Sequence, residues 1–203
     1  QERAPSQYSS IVVINELSAH QDSTVSQGDW IEFYNISKDA LNLSGWKIVS
    51  NDNEFIFPDS SIIHPKGYLV LSANPQEMVL TSMGGQLLKI SLGFGLSSKK
   101  EKLLLIDAAN YIVDSLSYII EIDFPTLLES GNKNMERVNP VLDNWKASVR
   151  PSPGQENALY EPIKTKKIKK QGNSVFYIGG GVVLFGLVLM SVLFIRKKVI
   201  NKD

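Results

Sequence analysis

Between residues 11 and 118 the apolar positions come in short runs broken by polar turn formers, with little of the 3.6-residue period that marks amphipathic helices. The runs predict strands at 11–17, 30–35, 46–50, 54–57, 68–72, 87–90, 103–107 and 112–118. Turn signals separate them: Gln27-Gly28-Asp29, Ser44-Gly45, Asn51-Asp52-Asn53, Pro65-Lys66-Gly67 and Ala109-Asn110. Short strands at this spacing point to an all-β sandwich or barrel rather than to βαβ units. Runs such as Leu103-Leu104-Leu105-Ile106 suit central strands covered on both faces. One short helix is expected after Asn74, which can N-cap, with Pro75 at the first helical position and Glu77 at the third.

The pattern changes abruptly near the C-terminus. Residues 174–195 form an uncharged run of 22 residues, which as a helix would extend about 33 Å and could cross a hydrocarbon core of about 30 Å. A single-pass anchor is therefore expected there, preceded by a Lys-rich linker over 161–173 and followed by a short tail, 196–203. Lysines 164, 166, 167, 169 and 170 flank the run on one side and Arg196, Lys197, Lys198 and Lys202 on the other, so charge alone does not orient it. Residue 1 is Gln rather than Met, as in a chain whose signal peptide has been removed. On that expectation the N-terminal domain is periplasmic or extracellular, the tail is cytoplasmic, and the protein sits in the inner (cytoplasmic) membrane. A tail-anchored protein with a cytosolic domain is the alternative.

Composition narrows the chemistry. The chain has no cysteine, which removes disulfides, thiolate metal sites and cysteine nucleophiles. Basic and acidic residues balance at 21 each, with the lysines gathered at 164–170 and 196–202, which argues against nucleic-acid binding. The only histidines, His20 and His64, fall in predicted loops, and no hydrolase, zinc-protease or phosphate-loop motif occurs. Gly93-Phe94-Gly95 precedes no helix, and Gly179-Gly180-Gly181 lies inside the apolar run. No enzyme and no cofactor is expected.

An ordered series of blocks resembles the lamin-tail domain family, in the form of a bacterial membrane-anchored member. It opens with Val13-Ile14-Asn15-Glu16-Leu17, Asp29-Trp30-Ile31-Glu32-Phe33-Tyr34-Asn35 and Leu41-Asn42-Leu43-Ser44-Gly45-Trp46. It continues through Phe55-Ile56-Phe57-Pro58, Lys66-Gly67-Tyr68-Leu69-Val70-Leu71, Leu92-Gly93-Phe94-Gly95-Leu96 and Ile112-Val113-Asp114-Ser115-Leu116. It closes with Met135-Glu136-Arg137, Asn144-Trp145 and Pro151-Ser152-Pro153-Gly154-Gln155-Glu156-Asn157. The resemblance implies an immunoglobulin-like β-sandwich over residues 10–160, preceded by an N-terminal segment 1–9. The bare apolar run behind it departs from bacterial members that carry other exported domains or sorting signals.

Several residue groups carry two readings. Glu16, Asp29, Glu32 and Asp114 are weak candidates for a calcium site, because oxygen ligands are what that cation requires. The resemblance puts Glu16 and Glu32 at strand ends, where a carboxylate accepts backbone N–H bonds. Trp30, Trp46 and Trp145 lie in blocks the resemblance assigns to the core; exposed, they would suggest glycan stacking or a protein hot spot. Arg137 and Glu136 are expected to pair structurally. Lys164, Lys166, Lys167, Lys169, Lys170, Arg196, Lys197 and Lys198 can contact anionic headgroups or simply be solvated. Gly179, Val182, Val183 and Gly186 share a helix face that could pack against another membrane helix. The combined expectation is a non-catalytic, membrane-displayed protein-interaction module. Its partners would be lipid and other membrane or periplasmic proteins, in an inner-membrane complex for secretion, envelope organisation or motility. A membrane-tethered glycan- or calcium-binding receptor is the alternative.

Overall fold

The computed structural model describes residues 5–20, 28–51, 53–80, 85–88, 90–127, 132–148, 150–161, 168–169 and 175–176. The first compact unit ends at Glu161. Its strands are β1 (Val12–His20), β2 (Trp30–Asn35), β3 (Leu41–Asn42), β4 (Lys47–Ser50), β5 (Asn53–Ile56), β6 (Ile62–Ile63), β7 (Tyr68–Ser72) and β8 (Gln86–Leu87). They continue with β9 (Lys100–Ile106), β10 (Ile112–Ile119), a single-turn helix α1 (Ile120–Asp123), a 3-10 turn (Pro125–Leu127), β11 (Asn132–Arg137) and β12 (Trp145–Ala147). Six strands form one sheet in the order β12-β11-β1-β2-β7-β8, and four form a second in the order β10-β9-β4-β5.

The two sheets share one apolar core, so the expected sandwich is present. Ile14, Leu17, Ile31, Phe33, Leu69, Leu71 and Met135 contribute from the six-stranded sheet, and Ile48, Phe55, Leu103, Leu105, Leu116 and Tyr118 from the four-stranded one. Alternate residues of each strand point inward, the two-residue period that a covered sheet face requires. Phe57 sits edge-on to both Phe33 and Phe55, with centroids 5.5 and 5.4 Å apart. A bulge in β1 between Ile14 and Glu16 resets its alternation, which turns Asn15 and Glu16 away from the core while Leu17 still faces inward. Ser50 pairs with Asn53 where β4 turns into β5, at the turn signal the sequence places there, and Asn51 has φ +49° in the left-handed region that asparagine tolerates.

Two expectations need correction. The helix predicted after Asn74 is only a turn, Glu77 N–H bonding Asn74 O at 3.2 Å. Met78 is buried against Trp30 and Val70 on the outer face of the six-stranded sheet, so the chain is spent on covering that face before a second helical turn can form. Further along, β13 (Ile168–Lys169) pairs antiparallel with β14 (Val175–Phe176), so the start of the helix predicted over 174–195 is extended. Val175 and Phe176 are β-branched and aromatic, the side-chain types that favour strand. Residues 177–195, with Gly179, Val182, Val183 and Gly186, and the tail with Arg196, Lys197 and Lys198, lie outside the described residues, as do Lys164, Lys166, Lys167 and Lys170. Among the described residues no helix is long and apolar enough to cross a membrane.

Candidate functional site

The outer face of the six-stranded sheet carries the most unusual chemistry. Glu136 on β11 lies opposite Glu16 on β1, and Glu16 lies opposite Glu32 on β2, so three glutamates form one rung across three adjacent strands. Like charges directly opposite one another destabilise a sheet, and all three residues are fully buried. What covers them is the segment 150–161, laid across the sheet after β12.

Each glutamate holds that segment by its backbone. Ser152 N–H donates to both Glu16 oxygens at 2.9 and 3.1 Å, and the Ser152 hydroxyl adds a third bond at 3.0 Å. Gly154 N–H donates to Glu32 Oε2 at 2.5 Å, while Asn15 Nδ2 donates to Glu32 Oε1 at 2.8 Å. Leu159 N–H donates to Glu136 Oε1, and Glu136 Oε2 is buried with no partner. Asn157 closes the array: its Oδ1 accepts from Asn15 Nδ2 at 2.8 Å and its Nδ2 donates to the carbonyls of Asn15 and Arg137 at 3.1 and 2.7 Å. The contact is too close for any side chain at one point. A Cβ on Gly85 would lie 2.4 Å from the Gly154 Cα, and Gly154 itself has φ +90°.

Burial dominates the electrostatics. It pushes the Glu16 carboxyl up to about 8, with the Ser152 bonds pulling the other way and the neighbouring Glu136 charge adding to the rise. Burial raises Glu32 well above the usual carboxylate range too, against the Gly154 and Asn15 bonds and with help from Glu16 and Glu136. Burial thus favours the neutral form of Glu16 and of Glu32, which lessens the repulsion along the rung.

A second polar knot lies where β1 approaches β10. Arg137 Nη2 bonds Asp114 Oδ2 at 2.7 Å, and Arg137 Nε bonds Ile14 O at 2.9 Å. Asp114 Oδ2 also accepts from Ile14 N–H at 2.8 Å. Burial raises the Asp114 carboxyl despite the opposing Arg137 charge. The expected Arg137–Glu136 pair is therefore not formed. Neighbours along a strand point to opposite faces, so Arg137 turns to Asp114 while Glu136 turns to the closing segment. The guanidinium carbon also stands 5.2 Å from the Trp145 ring centroid.

The four calcium candidates do not converge. Glu16 and Glu32 adjoin, but Asp114 is tied to Arg137, and Asp29 Oδ2 accepts from Leu96 N–H at 2.6 Å at the opposite end of β2. Among the described residues no group of three or more His, Cys, Asp or Glu is placed to hold a metal ion. Trp30 and Trp46 are 2% and 3% exposed, which leaves neither available for stacking on a glycan. Trp145 differs from its expected core position: it lies on edge strand β12, partly buried against the core. The sequence offered no sign of Glu136 as the third member of the rung, because strand β11 was not predicted.

The sequence matches the lamin tail domain family over residues 5–119, more than half of its 203 residues. The chain belongs to the lamin tail domain family. No curated protein matches it. The family is immunoglobulin-like and generally non-catalytic, a protein-interaction module, and the all-β sandwich described above agrees with it. In this lamin tail domain the compact unit runs beyond the matched residues. Strands β11 and β12 complete the six-stranded sheet, and the closing segment seals its outer face.

Proposed function

We propose that this lamin tail domain is a non-catalytic binding module, tethered to the inner membrane through residues 174–195 and displayed on the periplasmic or extracellular side. There it binds other membrane or periplasmic proteins as an accessory subunit of a membrane complex. The observation that carries the reading is the internal use of the candidate chemistry. Glu16, Glu32, Asn15 and Asn157 are spent on holding the closing segment, Arg137 and Asp114 on joining the sheets, and Trp30 and Trp46 on the interior. The surface left for recognition is loops and short sheet edges, as in a module that binds proteins. The uncharged run of 22 residues and the lysines before it support the tether.

The test is extraction of the native protein in a mild detergent and identification of what co-purifies at stoichiometric levels. A partner is expected, and it should be lost when Gly179 and Gly186 are both replaced by Leu if the helix face holds the complex. A monomer that co-purifies with nothing would overturn the subunit reading.

A further inference from the structure

The end of the domain from which the chain departs carries several exposed apolar side chains. Val141 and Leu142 are 49% and 45% exposed at the tip of the turn after β11, and Leu159 and Tyr160 are 38% and 39% exposed just before the last residue of the unit. The two segments are fastened side by side. Glu161 N–H donates to Val138 O at 2.9 Å, and Asn139 Nδ2 donates to Glu161 O at 2.9 Å. Pro140 lies between them, lining one cavity with Val141 and a second, of about 70 Å³, with Tyr160, Tyr34 and Tyr68. Tyr34 and Tyr68 stack with centroids 4.6 Å apart at this same end. Four exposed apolar side chains on two fastened segments, edged by tyrosines, differ from the singly scattered apolar residues of an ordinary surface.

We propose that this end of the domain docks on an anionic lipid bilayer, with Val141, Leu142, Leu159 and Tyr160 entering the headgroup region. The occupant follows from what comes next along the chain. Immediately beyond Glu161, residues 162–173 carry lysines at 164, 166, 167, 169 and 170, and residues 174–195 carry no charge. A surface within a dozen residues of such a run is held near lipid whether or not it faces it. Apolar side chains on a tethered face lose water by turning toward the bilayer, and tyrosine rings suit the boundary between apolar and wet. The lysine run supplies the attraction to an anionic surface. Of the carboxylates at this end, Glu161 is paired with Lys146 at 3.2 Å, and the exposed Asp143 and Glu156 are outnumbered by the five lysines of the run. The proposal rests on the membrane-tethered reading above.

The absence of cysteine makes the test direct, since each introduced thiol is unique. Leu142→Cys and Leu159→Cys would carry an environment-sensitive fluorophore in the full chain. Ile56→Cys would serve as reference, on β5 at the edge of the four-stranded sheet farthest from β10. In vesicles of phosphatidylcholine and phosphatidylserine with brominated acyl chains, the probes at 142 and 159 should be quenched at least about twofold, as expected for side chains that reach about 5–10 Å into the interface. The probe at 56 should stay as bright as in water. Adding Leu142→Glu should return the probe at 159 to water, with an unchanged melting temperature showing that the fold is intact. Probes at 142 and 159 no more quenched than the one at 56 would overturn the proposal. Carbonate extraction of the same vesicles separates the two ideas. Protein that resists extraction while its probes stay in water is tethered but not docked. Protein that is stripped by carbonate yet quenched at neutral pH is docked but not anchored.

Discussion

The two faces of the six-stranded sheet solve burial in opposite ways. The inner face is apolar: Ile14, Leu17, Ile31, Phe33, Leu69, Leu71 and Met135 meet the second sheet by packing alone. The outer face is just as dry along the glutamate rung, yet Glu16, Glu32 and Glu136 occupy it and are covered by backbone rather than by a third layer. Packing is non-directional and tolerates exchange among side chains of similar volume. A carboxylate that accepts from one particular N–H tolerates none, and leaving it unpaired costs the full desolvation of the group. The inner face therefore gives the sandwich its stability, and the outer face gives one closing segment a single place to lie.

The most severe test of this contrast lies on the inner face. Phe33 is fully buried with its ring edge-on to Phe57, so Phe33→Ala should destabilise the domain by about 3–5 kcal/mol, read from urea unfolding. A loss below about 1 kcal/mol would mean that the core is not the principal source of stability.

A smaller effect separates the faces by pH. A group whose carboxyl is raised on folding binds its proton more tightly in the folded state. Its contribution is therefore whole below the ordinary value of 4.5 and is lost as pH rises toward about 8, the folded value for Glu16. Burial shifts Glu32 and Asp114 in the same direction. The urea midpoint should accordingly fall between pH 5 and pH 8. Glu16→Gln, which keeps a neutral acceptor for Ser152, should flatten the fall and leave stability near pH 5 within about 1 kcal/mol of the parent. A parent profile that is flat over this range would remove the buried glutamates from the account of how the closing segment is held. A Phe33 variant, by contrast, should lose stability equally at both pH values.

The same contrast explains what could be read from the chain. Strands built on apolar runs were legible, and β2 and β7 fall where the pattern puts them, at Trp30–Asn35 and Tyr68–Ser72. Strand β11 was invisible for a physical reason. Asn132–Arg137 has a single apolar residue, Met135, yet Lys133, Asn134, Glu136 and Arg137 are all buried, so a reading that equates polar with exposed passes over it. Very short strands such as β3 and β6 leave too few residues for any alternation to register. Glu16 and Glu32 could be singled out as carboxylates that accept backbone N–H bonds, although both lie within β1 and β2 rather than at the strand ends expected, and the Pro-Ser-Pro-Gly segment as the closing block. That one holds the other depends on long-range register, which no local pattern encodes.

The least effect is expected where the two modes of burial meet. Trp145 sits on edge strand β12, with its ring partly buried against the core, the Arg137 guanidinium over it, and its indole Nε1 buried without a partner. Three terms decide Trp145→Phe. Apolar area is lost, which destabilises, and the contact with the Arg137 cation weakens because a phenyl face attracts a cation less than an indole does. The unpaired N–H disappears, which stabilises, since a buried donor with no acceptor carries its desolvation cost in the folded state alone. These terms oppose one another, so the net change in unfolding free energy should stay within about 1 kcal/mol. Arg137 keeps Asp114 and the Ile14 carbonyl in either case, so the junction of the sheets is unaltered. A loss of about 3 kcal/mol or more in urea unfolding would mean that the indole N–H has a partner in solution and that Trp145 belongs with Phe33 in the core.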